Sequence, residues 1–250
     1  MKFRRIGKPF FLTTTVLLGC LHLGNLVGTD ENFRVKNVVV SGNRYLTVEN
    51  ILDAAQIPTG ENTFKVEVRP IVERLESLPF IKAVEVIKTY PATLEIIVTE
   101  RVPVAFFNHE GLLPVDETGN ILPPIALPVQ PDLPLISGVA IEKTANLQRL
   151  AIRGIRLCEF VDHLYHNRSE LFHQISEFRL RGDQLTIYLL RSGVPVNMGD
   201  TAWLEKCQRL QAVIQHVPLD FSNLERIDLR FANQIITCER VTRATLGERT

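Results

Sequence analysis

The chain has 250 residues, with 28 basic and 28 acidic side chains, so its formal net charge is zero. The first eight residues contain four basic side chains and no acidic one, which leaves 24 basic against 28 acidic residues, a net charge of −4, for residues 9–250. A mildly acidic domain lacks the basic surface with which proteins bind phosphate backbones, so composition excludes a nucleic-acid-binding protein. The length allows one large or two small domains.

The N-terminus has the pattern of a membrane anchor. Residues 10–27 contain no Asp, Glu, Lys or Arg, and a helix of that length rises about 27 Å, close to the roughly 30 Å of a hydrocarbon core. Cationic residues before an apolar segment favour a cytoplasmic N-terminus. We therefore predict a cytoplasmic tail over 1–8 and a single transmembrane helix over 9–28, with the rest of the chain outside the cytoplasm.

Two other interpretations of this segment stay open. A cleaved signal peptide needs small residues before the cleavage site, and no Ala-x-Ala stands near Val27. Residues 17–20, Leu-Leu-Gly-Cys, resemble the box at which bacterial lipoproteins are cut and acylated, which would place the cut at Cys20. A retained anchor and a lipoprotein both leave the chain tethered to a membrane.

The first part after this segment predicts a compact α+β unit. A valine-rich strand fits residues 33–41, a helix follows the N-cap residue Thr47, and a second helix fits 68–78. Two strands over 81–88 and 94–101 are joined by a turn at Pro91. The order strand, helix, helix, strand, strand predicts two helices that cover one face of a three-stranded sheet.

Residues 103–240 predict a second domain that is rich in β-structure. Seven prolines between Pro103 and Pro134 disfavour long helices there, and short strands fit 105–108 and 111–116. Apolar residues with helical spacing predict two helices, over 144–166 and 201–216. We further predict strands over 175–180, 185–190, 195–198, 224–231 and 234–239. Residues 241–250 lack periodicity and are predicted to form a flexible tail.

Several segments resemble a known bacterial family in the same order along the chain. The first unit is similar to a POTRA domain, the βααββ module of envelope proteins, through residues 38–43, 78–86 and 90–96. Residues 98–105, which continue directly into the second domain, are similar to the cell-division family FtsQ, called DivIB in some bacteria. Segments 133–138, 196–199 and 227–231 also resemble motifs of that family.

The resemblance implies a bitopic protein of the bacterial inner membrane that acts at the division septum. It implies a POTRA domain over 33–102 and an FtsQ-type β domain over 103–240. Such a protein is a scaffold that binds the FtsB–FtsL pair through the end of its β domain, while the POTRA domain helps recruit it. The chain departs from the family at Asn233-Gln234, where a glycine is usual, and at Cys238-Glu239, where a bulky apolar residue often ends the last strand.

The predicted last strand is the candidate partner-binding site. We predict that this strand lies at a sheet edge, where unpaired N–H and C=O groups pair with a guest strand, and residues 234–239 contain no Lys or Pro. In the competing interpretation the apolar members fill the core. Ile235→Pro is expected to abolish partner binding. The partner-binding candidates are Phe231, Asn233, Gln234, Ile235, Ile236, Thr237 and Cys238.

In the first unit, Asn43, Arg44 and Arg69 are candidates for a recruitment surface, although roles in a turn and on a solvated helix explain them as well. The three cysteines beyond the anchor, at least one of which must stay unpaired, are expected to be buried thiols.

We predict no enzyme, no cofactor and no metal site. The residues between Asp162 and His173 include three histidines with helical spacing, but residues 167–169 predict a helix end and no His-Glu-x-x-His motif supports a zinc site. Ser137 has no base near it in the sequence. Two alternatives remain: an envelope assembly or transport factor, or lipoprotein, that handles outer-membrane polypeptides, and a secreted or acylated enzyme. The 103–250 region lacks the repeated strands of a β-barrel that usually accompany the first.

Overall fold

The computed structural model of the chain describes residues 31–124, 132–143, 148–217, 220–232 and 234–240. Its contacts divide the chain into two compact units, one that ends at Glu100 and one that begins at Arg101. We call their described parts the N-terminal unit and the C-terminal unit. The predicted tail over 1–8, anchor over 9–28 and C-terminal tail over 241–250 lie outside the described residues. Among the helices that are described, none combines the length and the apolar composition needed to cross a membrane.

The N-terminal unit has the predicted order strand, helix, helix, strand, strand. Its strands form one sheet in the order β1-β3-β2, with β1 parallel and β2 antiparallel to β3. Parallel neighbours need a crossover connection, which the two helices provide. The elements are β1 (Asn37–Ser41), α1 (Val48–Ala55), α2 (Val68–Glu76), β2 (Ile81–Thr89) and β3 (Thr93–Glu100).

Local signals place the helices of this unit. The Thr47 side chain accepts from the Asn50 N–H, and the Asn50 side chain accepts from the Thr47 N–H, so a capping box begins α1 where predicted. Each helix buries one apolar face against the sheet, and each buried aliphatic side chain contributes about 1.5–3 kcal/mol. The fully buried residues of this core include Ile51, Ala55, Ile71, Leu75, Leu94 and Ile96.

Two predicted boundaries in this unit were wrong by two residues or more. The first strand begins at Asn37 instead of residue 33, because Glu31–Phe33 forms a short 3-10 helix whose last carbonyl accepts from the Thr63 N–H. The second helix ends at Glu76, two residues early, and Ser77 caps it by donating its N–H to the Glu73 carbonyl.

The C-terminal unit contains an eight-stranded sheet within the part of the chain that is described, in the order β13-β12-β11-β10-β9-β6-β4-β5, and a separate pair, β7-β8. The strands are β4 (Pro103–Asn108), β5 (Leu112–Asp116), β6 (Leu135–Ser137), β7 (Ile141–Lys143), β8 (Gln148–Leu150), β9 (Ile175–Arg181), β10 (Gln184–Leu189), β11 (Pro195–Gly199), β12 (Leu224–Asp228) and β13 (Ile236–Glu239). The helices are α3 (Ile152–Asn167), α4 (Ser169–Phe172) and α5 (Trp203–His216).

One face of this sheet is buried beneath helices. Alternate residues of the central strands, such as Phe178, Ile187 and Val196, are fully buried in one apolar cluster with Leu157 of α3 and Leu210 of α5. The residues between them remain half-buried and mostly polar. This alternation is typical of a sheet with one packed and one accessible face.

The predicted helix over 144–166 was wrong at its start. Residues Gln148–Leu150 form β8, which pairs with β7, and α3 begins only at Ile152. The leucine spacing fits a helix, but the Gln148 carbonyl accepts from Ile121 and the Leu150 N–H donates to Gly119. These contacts with residues distant in the sequence outweigh the local periodicity.

A four-residue helix, α4, follows α3, although only two helices were predicted in this domain. The last two strands are shorter than predicted. The strand predicted over 224–231 ends at Asp228, and the strand predicted over 234–239 begins at Ile236.

One glycine in each unit is required by close backbone packing. Gly42 follows β1 and Gly138 follows β6, both with positive φ, at 83° and 75°. A Cβ atom on Gly42 would collide with the carbonyl oxygen of Val98, and one on Gly138 would collide with that of Leu180. Both positions therefore allow a neighbouring strand to approach closely.

Candidate functional site

Strand β13 lies at one edge of the eight-stranded sheet, as predicted for the last strand. It pairs with β12 in antiparallel fashion, with Ile236 opposite Asp228 and Thr237 opposite Ile227. No other strand of the described residues pairs with β13. Its second side is thus open within the part of the chain that the structure covers.

The direction of the backbone groups in β13 follows from one hydrogen bond. The N–H of Arg240, which follows β13, donates to the carbonyl of Asn223, which precedes β12, at 2.8 Å. Backbone groups of an antiparallel strand alternate between the two sides, so those of Cys238 and Ile236 also face β12. The N–H and C=O of Thr237 and Glu239 then point to the open side, where a guest strand can pair with them.

The side chains near this edge divide between the core and the solvent. Ile235 packs against the C-terminal core, so the competing interpretation holds for this residue. Ile236 and Phe231 are 40% and 49% exposed, which is high for large apolar side chains. Gln234 and Thr237 are exposed and Cys238 is half-buried. The remaining candidate, Asn233, lies outside the described residues.

An ion pair fixes the chain where it leaves β12 for this edge. The buried Asp228 carboxylate accepts from the backbone N–H of Arg230 at 3.0 Å and from its guanidinium Nε at 2.9 Å. The side-chain bond to Arg230 is the main cause that lowers the pKa of Asp228 below its usual value. Arg209 of α5 donates to the Phe231 carbonyl at 3.2 Å. These bonds position the exposed Phe231 ring at the start of the connection to β13.

The other edge of the same sheet has a cluster that the sequence analysis missed. Asp116, at the end of β5, is fully buried and forms a 2.8 Å ion pair with Arg101. Its carboxylate also accepts from the N–H and hydroxyl groups of Thr118 and from both nitrogens of Asn120. The alternating polar residues around Gly119 were the available signal, since such side chains stabilise turns.

A second network that was missed lies on the accessible sheet face. The Ser137 hydroxyl donates to Glu177, whose carboxylate accepts two further bonds from the Arg179 guanidinium at 3.0 Å. Arg179 also donates to the Tyr188 hydroxyl at 2.9 Å. The Glu177 carboxylate is therefore shared between the Ser137 hydroxyl and the Arg179 guanidinium.

The three candidates in the N-terminal unit lie on two different elements. The Asn43 side chain donates to the Leu46 carbonyl, and the Arg44 N–H donates to the Glu100 carboxylate, both at 2.9 Å in the loop after β1. Arg69 lies in the first turn of α2 and forms an exposed ion pair with Glu73. The Asn43 side chain and the Arg44 backbone therefore stabilise this loop. A role of Asn43, Arg44 and Arg69 in recruitment stays a prediction.

The residues considered for metal or nucleophilic chemistry have ordinary environments. His166 lies against the carbonyl of Asp162, 2.9 Å away, on the exposed side of α3. In the described part of the chain, no group of three or more His, Cys, Asp or Glu side chains is placed to hold a metal ion. Burial raises the pKa of the Cys207 thiol to about 12 and that of Cys158 further. Both thiols are thus protonated near neutral pH, and a protonated thiol is a poor nucleophile.

Comparison with known proteins assigns both units to one family. Residues 33–101 match a family model described as "POTRA domain, FtsQ-type". Residues 105–230 match "Cell division protein FtsQ/DivIB, C-terminal", a match that ends before β13.

Whole-chain relatives agree with these two matches. The chain is 28% identical to the cell division protein FtsQ of Geotalea daltonii over 223 residues, 88% of this chain and 81% of the relative. It is 29% identical to that of Geobacter sp. strain M21 over 220 residues, 87% and 80% of the two chains. The FtsQ of Rhodothermus marinus is 28% identical over 225 residues. The resemblance found in the sequence is confirmed, and the chain belongs to the FtsQ/DivIB family of cell division proteins.

Proposed function

We propose that this chain is a non-enzymatic, membrane-anchored scaffold of the bacterial division machinery that binds FtsB/FtsL-type membrane proteins by strand addition to β13. In this proposal residues 9–28 cross the inner membrane once, with the N-terminus in the cytoplasm and both units outside it. The N-terminal unit contributes to recruitment at the septum, through a surface that includes Asn43, Arg44 and Arg69. No cofactor, metal ion or small-molecule substrate is needed.

The open side of β13 is the observation that supports this proposal most directly. The outward N–H and C=O groups of Thr237 and Glu239 lack a partner strand among the described residues. A guest strand would satisfy them with main-chain hydrogen bonds, each worth about 0.5–1.5 kcal/mol net. Edges that are not meant to pair commonly carry Lys or Pro, and neither occurs in residues 234–239. The register shift of the β12–β13 pair falls between Leu224 and Arg226 of the inner strand β12.

Exposed apolar side chains next to the edge would add specificity to this main-chain pairing. Ile236 on β13 and Phe231 before it present apolar area that a partner can cover. Large apolar and aromatic side chains of this kind are frequent anchors in protein interfaces. Main-chain pairing would set the orientation of the partner, and these side chains would distinguish the correct partner from other extended segments.

Proline substitution of one outward-facing residue tests the proposal. Thr237→Pro removes an N–H from the open side only, because this N–H does not pair with β12, and proline is tolerated at such edge positions. Ile235→Pro is a less selective test, because Ile235 also packs against the core. We expect Thr237→Pro to lower the affinity for the FtsB/FtsL-type pair of the same organism by at least about tenfold in a quantitative pull-down.

The matched control lies at the opposite edge of the same sheet. Leu112→Pro replaces an exposed residue of β5. The Pro114 carbonyl faces the outer side of β5, where it accepts from Leu122, so the N–H of Leu112, two residues earlier, faces the same side. We expect this variant to bind the partner pair like the unchanged chain. Equal binding by Thr237→Pro and the unchanged chain would refute strand addition at β13, and equal loss in both variants would indicate a general effect of proline on the sheet.

A further inference from the structure

Three aromatic side chains, two of them exposed and one half-buried, form a cluster at one end of the N-terminal unit. The rings of Phe64 and Tyr90 are stacked with centroids 4.4 Å apart, and Phe33 contacts Phe64 at 5.3 Å. Phe64 is 47% and Tyr90 50% exposed. We call Phe33, Phe64 and Tyr90 the aromatic triad. Adjacent exposed aromatic rings of this kind form an apolar surface patch, and such patches commonly mark interaction sites.

A single buried threonine holds the backbone of the triad in place. The Thr63 hydroxyl donates to the Phe33 carbonyl at 2.8 Å and is also 2.9 Å from the Pro91 carbonyl, which follows Tyr90. The Thr63 N–H donates to Phe33 as well, at 2.7 Å. Thr63 itself is fully buried. The three rings therefore come from three separate segments whose positions are fixed before any ligand binds.

The triad lies at the end of the sheet where the chain enters the unit. Phe33 precedes β1, and Tyr90 lies between the end of β2 and the start of β3. The opposite end of the sheet is marked by Tyr45, whose N–H donates to Glu100 at the end of β3. The seven steps from Thr93 to Glu100 separate the two ends by roughly 23 Å.

The predicted anchor limits how far the triad can be from the bilayer. Phe33 is five residues after the last anchor residue, Gly28, and five extended residues reach at most roughly 17 Å. The headgroup region on each side of a hydrocarbon core is about 5–8 Å thick. The end of the unit with the triad is thus held next to the membrane surface, and the Tyr45 end can lie well beyond it.

We infer that the aromatic triad inserts into the headgroup region of the lipid bilayer and orients the N-terminal unit with its Tyr45 end away from the membrane. Tyrosine and tryptophan are enriched at this depth because their rings combine an apolar body with a polar group, and Phe64 and Phe33 add apolar area. Lys65 follows Phe64 in the sequence, Glu61 precedes it by three residues, and the Lys88 ammonium donates to the Phe64 carbonyl at 3.2 Å. The uncharged rings provide the attraction to a zwitterionic bilayer. This inference rests on the proposed anchor.

Tryptophan reporters in the full chain test this orientation. Phe64→Trp and Tyr45→Trp add one fluorophore at each end of the sheet, and the unchanged chain, with its single Trp203, gives the background. Each protein is reconstituted into vesicles of phosphatidylcholine brominated on its acyl chains, which quench fluorophores at the membrane interface. We expect the fluorescence added by Phe64→Trp to be quenched several-fold more than that added by Tyr45→Trp. Tyr90→Trp, a second reporter in the triad, should behave like Phe64→Trp.

The outcomes separate this inference from the proposed function. Equal quenching at the two ends, or no quenching at Phe64→Trp and Tyr90→Trp, in protein that stays in the vesicles after an alkaline wash would refute the inserted triad and leave the anchor intact. Release of the unchanged chain by the alkaline wash would refute the anchor and the inference together. Binding of the FtsB/FtsL-type pair is measured independently with the β13 variants described above.

Discussion

The two edges of the eight-stranded sheet differ in what the chain does immediately beside them. At β5 the chain turns back, and residues 120–122 lie along the outer side of the strand: the Leu122 N–H donates to the Pro114 carbonyl at 2.8 Å, and Ile121 forms a bridge with Val115. At β13 no such return segment exists among the described residues.

The Asp116 cluster explains why the β5 edge is closed. Its buried carboxylate holds Thr118 and Asn120, so the turn that carries the chain back over β5 is fixed by several hydrogen bonds. Pro114 also lacks the N–H that a guest would need. The edge beside β13 has neither device. The availability of a sheet edge thus depends on local turn chemistry, so two edges of one sheet can have opposite roles.

The largest effect is expected from breaking the closed edge. Asp116→Ala removes the turn contacts and leaves the mostly buried Arg101 guanidinium without its ion partner, a change that typically costs about 3–5 kcal/mol. We expect a corresponding loss in the free energy of unfolding of the C-terminal unit. Trp203, the single tryptophan of the chain, lies in this unit and reports its urea unfolding by fluorescence.

An exposed ion pair in the same unit provides the control for this measurement. Asp183 and Arg153 form a pair with side chains 64% and 56% exposed, so Asp183→Ala should cost less than about 1 kcal/mol. A similar small cost for Asp116→Ala would show that the buried cluster is not what closes the β5 edge.

Much of the N-terminal unit could be predicted from its sequence because its signals are local. The cap at Thr47, the apolar spacing of α2 and the two strands around Pro91 each act within a few residues. The edge position of the last strand was also predictable, since a terminal strand has fewer neighbours to choose from. These elements needed no knowledge of how distant parts of the chain meet.

The rest of the C-terminal unit depends on contacts between distant residues. The pairing of β8 with β7 overrode a helical pattern that includes Leu150. The two parallel pairs of β6 join segments about 30 and 40 residues apart, as at Phe107 with Ile136 and at Ser137 with Arg179. At the candidate site, the direction of the Thr237 N–H follows from the register with β12. Periodicity in the sequence does not determine a register between two short strands.

A smaller effect is expected when the open edge is weakened through one side chain. Ile236→Ala removes exposed apolar area that a guest strand would cover, so we expect about a tenfold loss of partner affinity with little change in stability. Leu112→Ala, a similar truncation on the closed edge where Leu112 is 56% exposed, should leave affinity unchanged. Titration calorimetry on both variants measures the difference, and equal affinities would argue against a side-chain role for Ile236.

The smallest effect concerns the pH dependence of the open edge. The pKa of Asp228 is lowered by Arg230, so the ionised carboxylate stabilises the folded state above the unfolded-state pKa of about 3.9. That contribution is lost as pH falls from about 4 through the lower folded value. The difference in urea midpoint between the unchanged chain and Asp228→Asn should therefore be constant near neutral pH and shrink below about pH 4. A difference that does not change with pH would exclude this ion pair as its source.

The close backbone packing at Gly42 and Gly138 restricts how each turn can evolve. Any side chain at either position would push a carbonyl of the neighbouring strand, Val98 or Leu180, out of its ladder. Substitution at these two codons is therefore opposed by the geometry of the main chain alone, whatever partner the protein acquires. Lineages that have diverged in their surfaces can be expected to retain both glycines, which makes the pair a marker for remote homologues whose binding residues have changed beyond recognition.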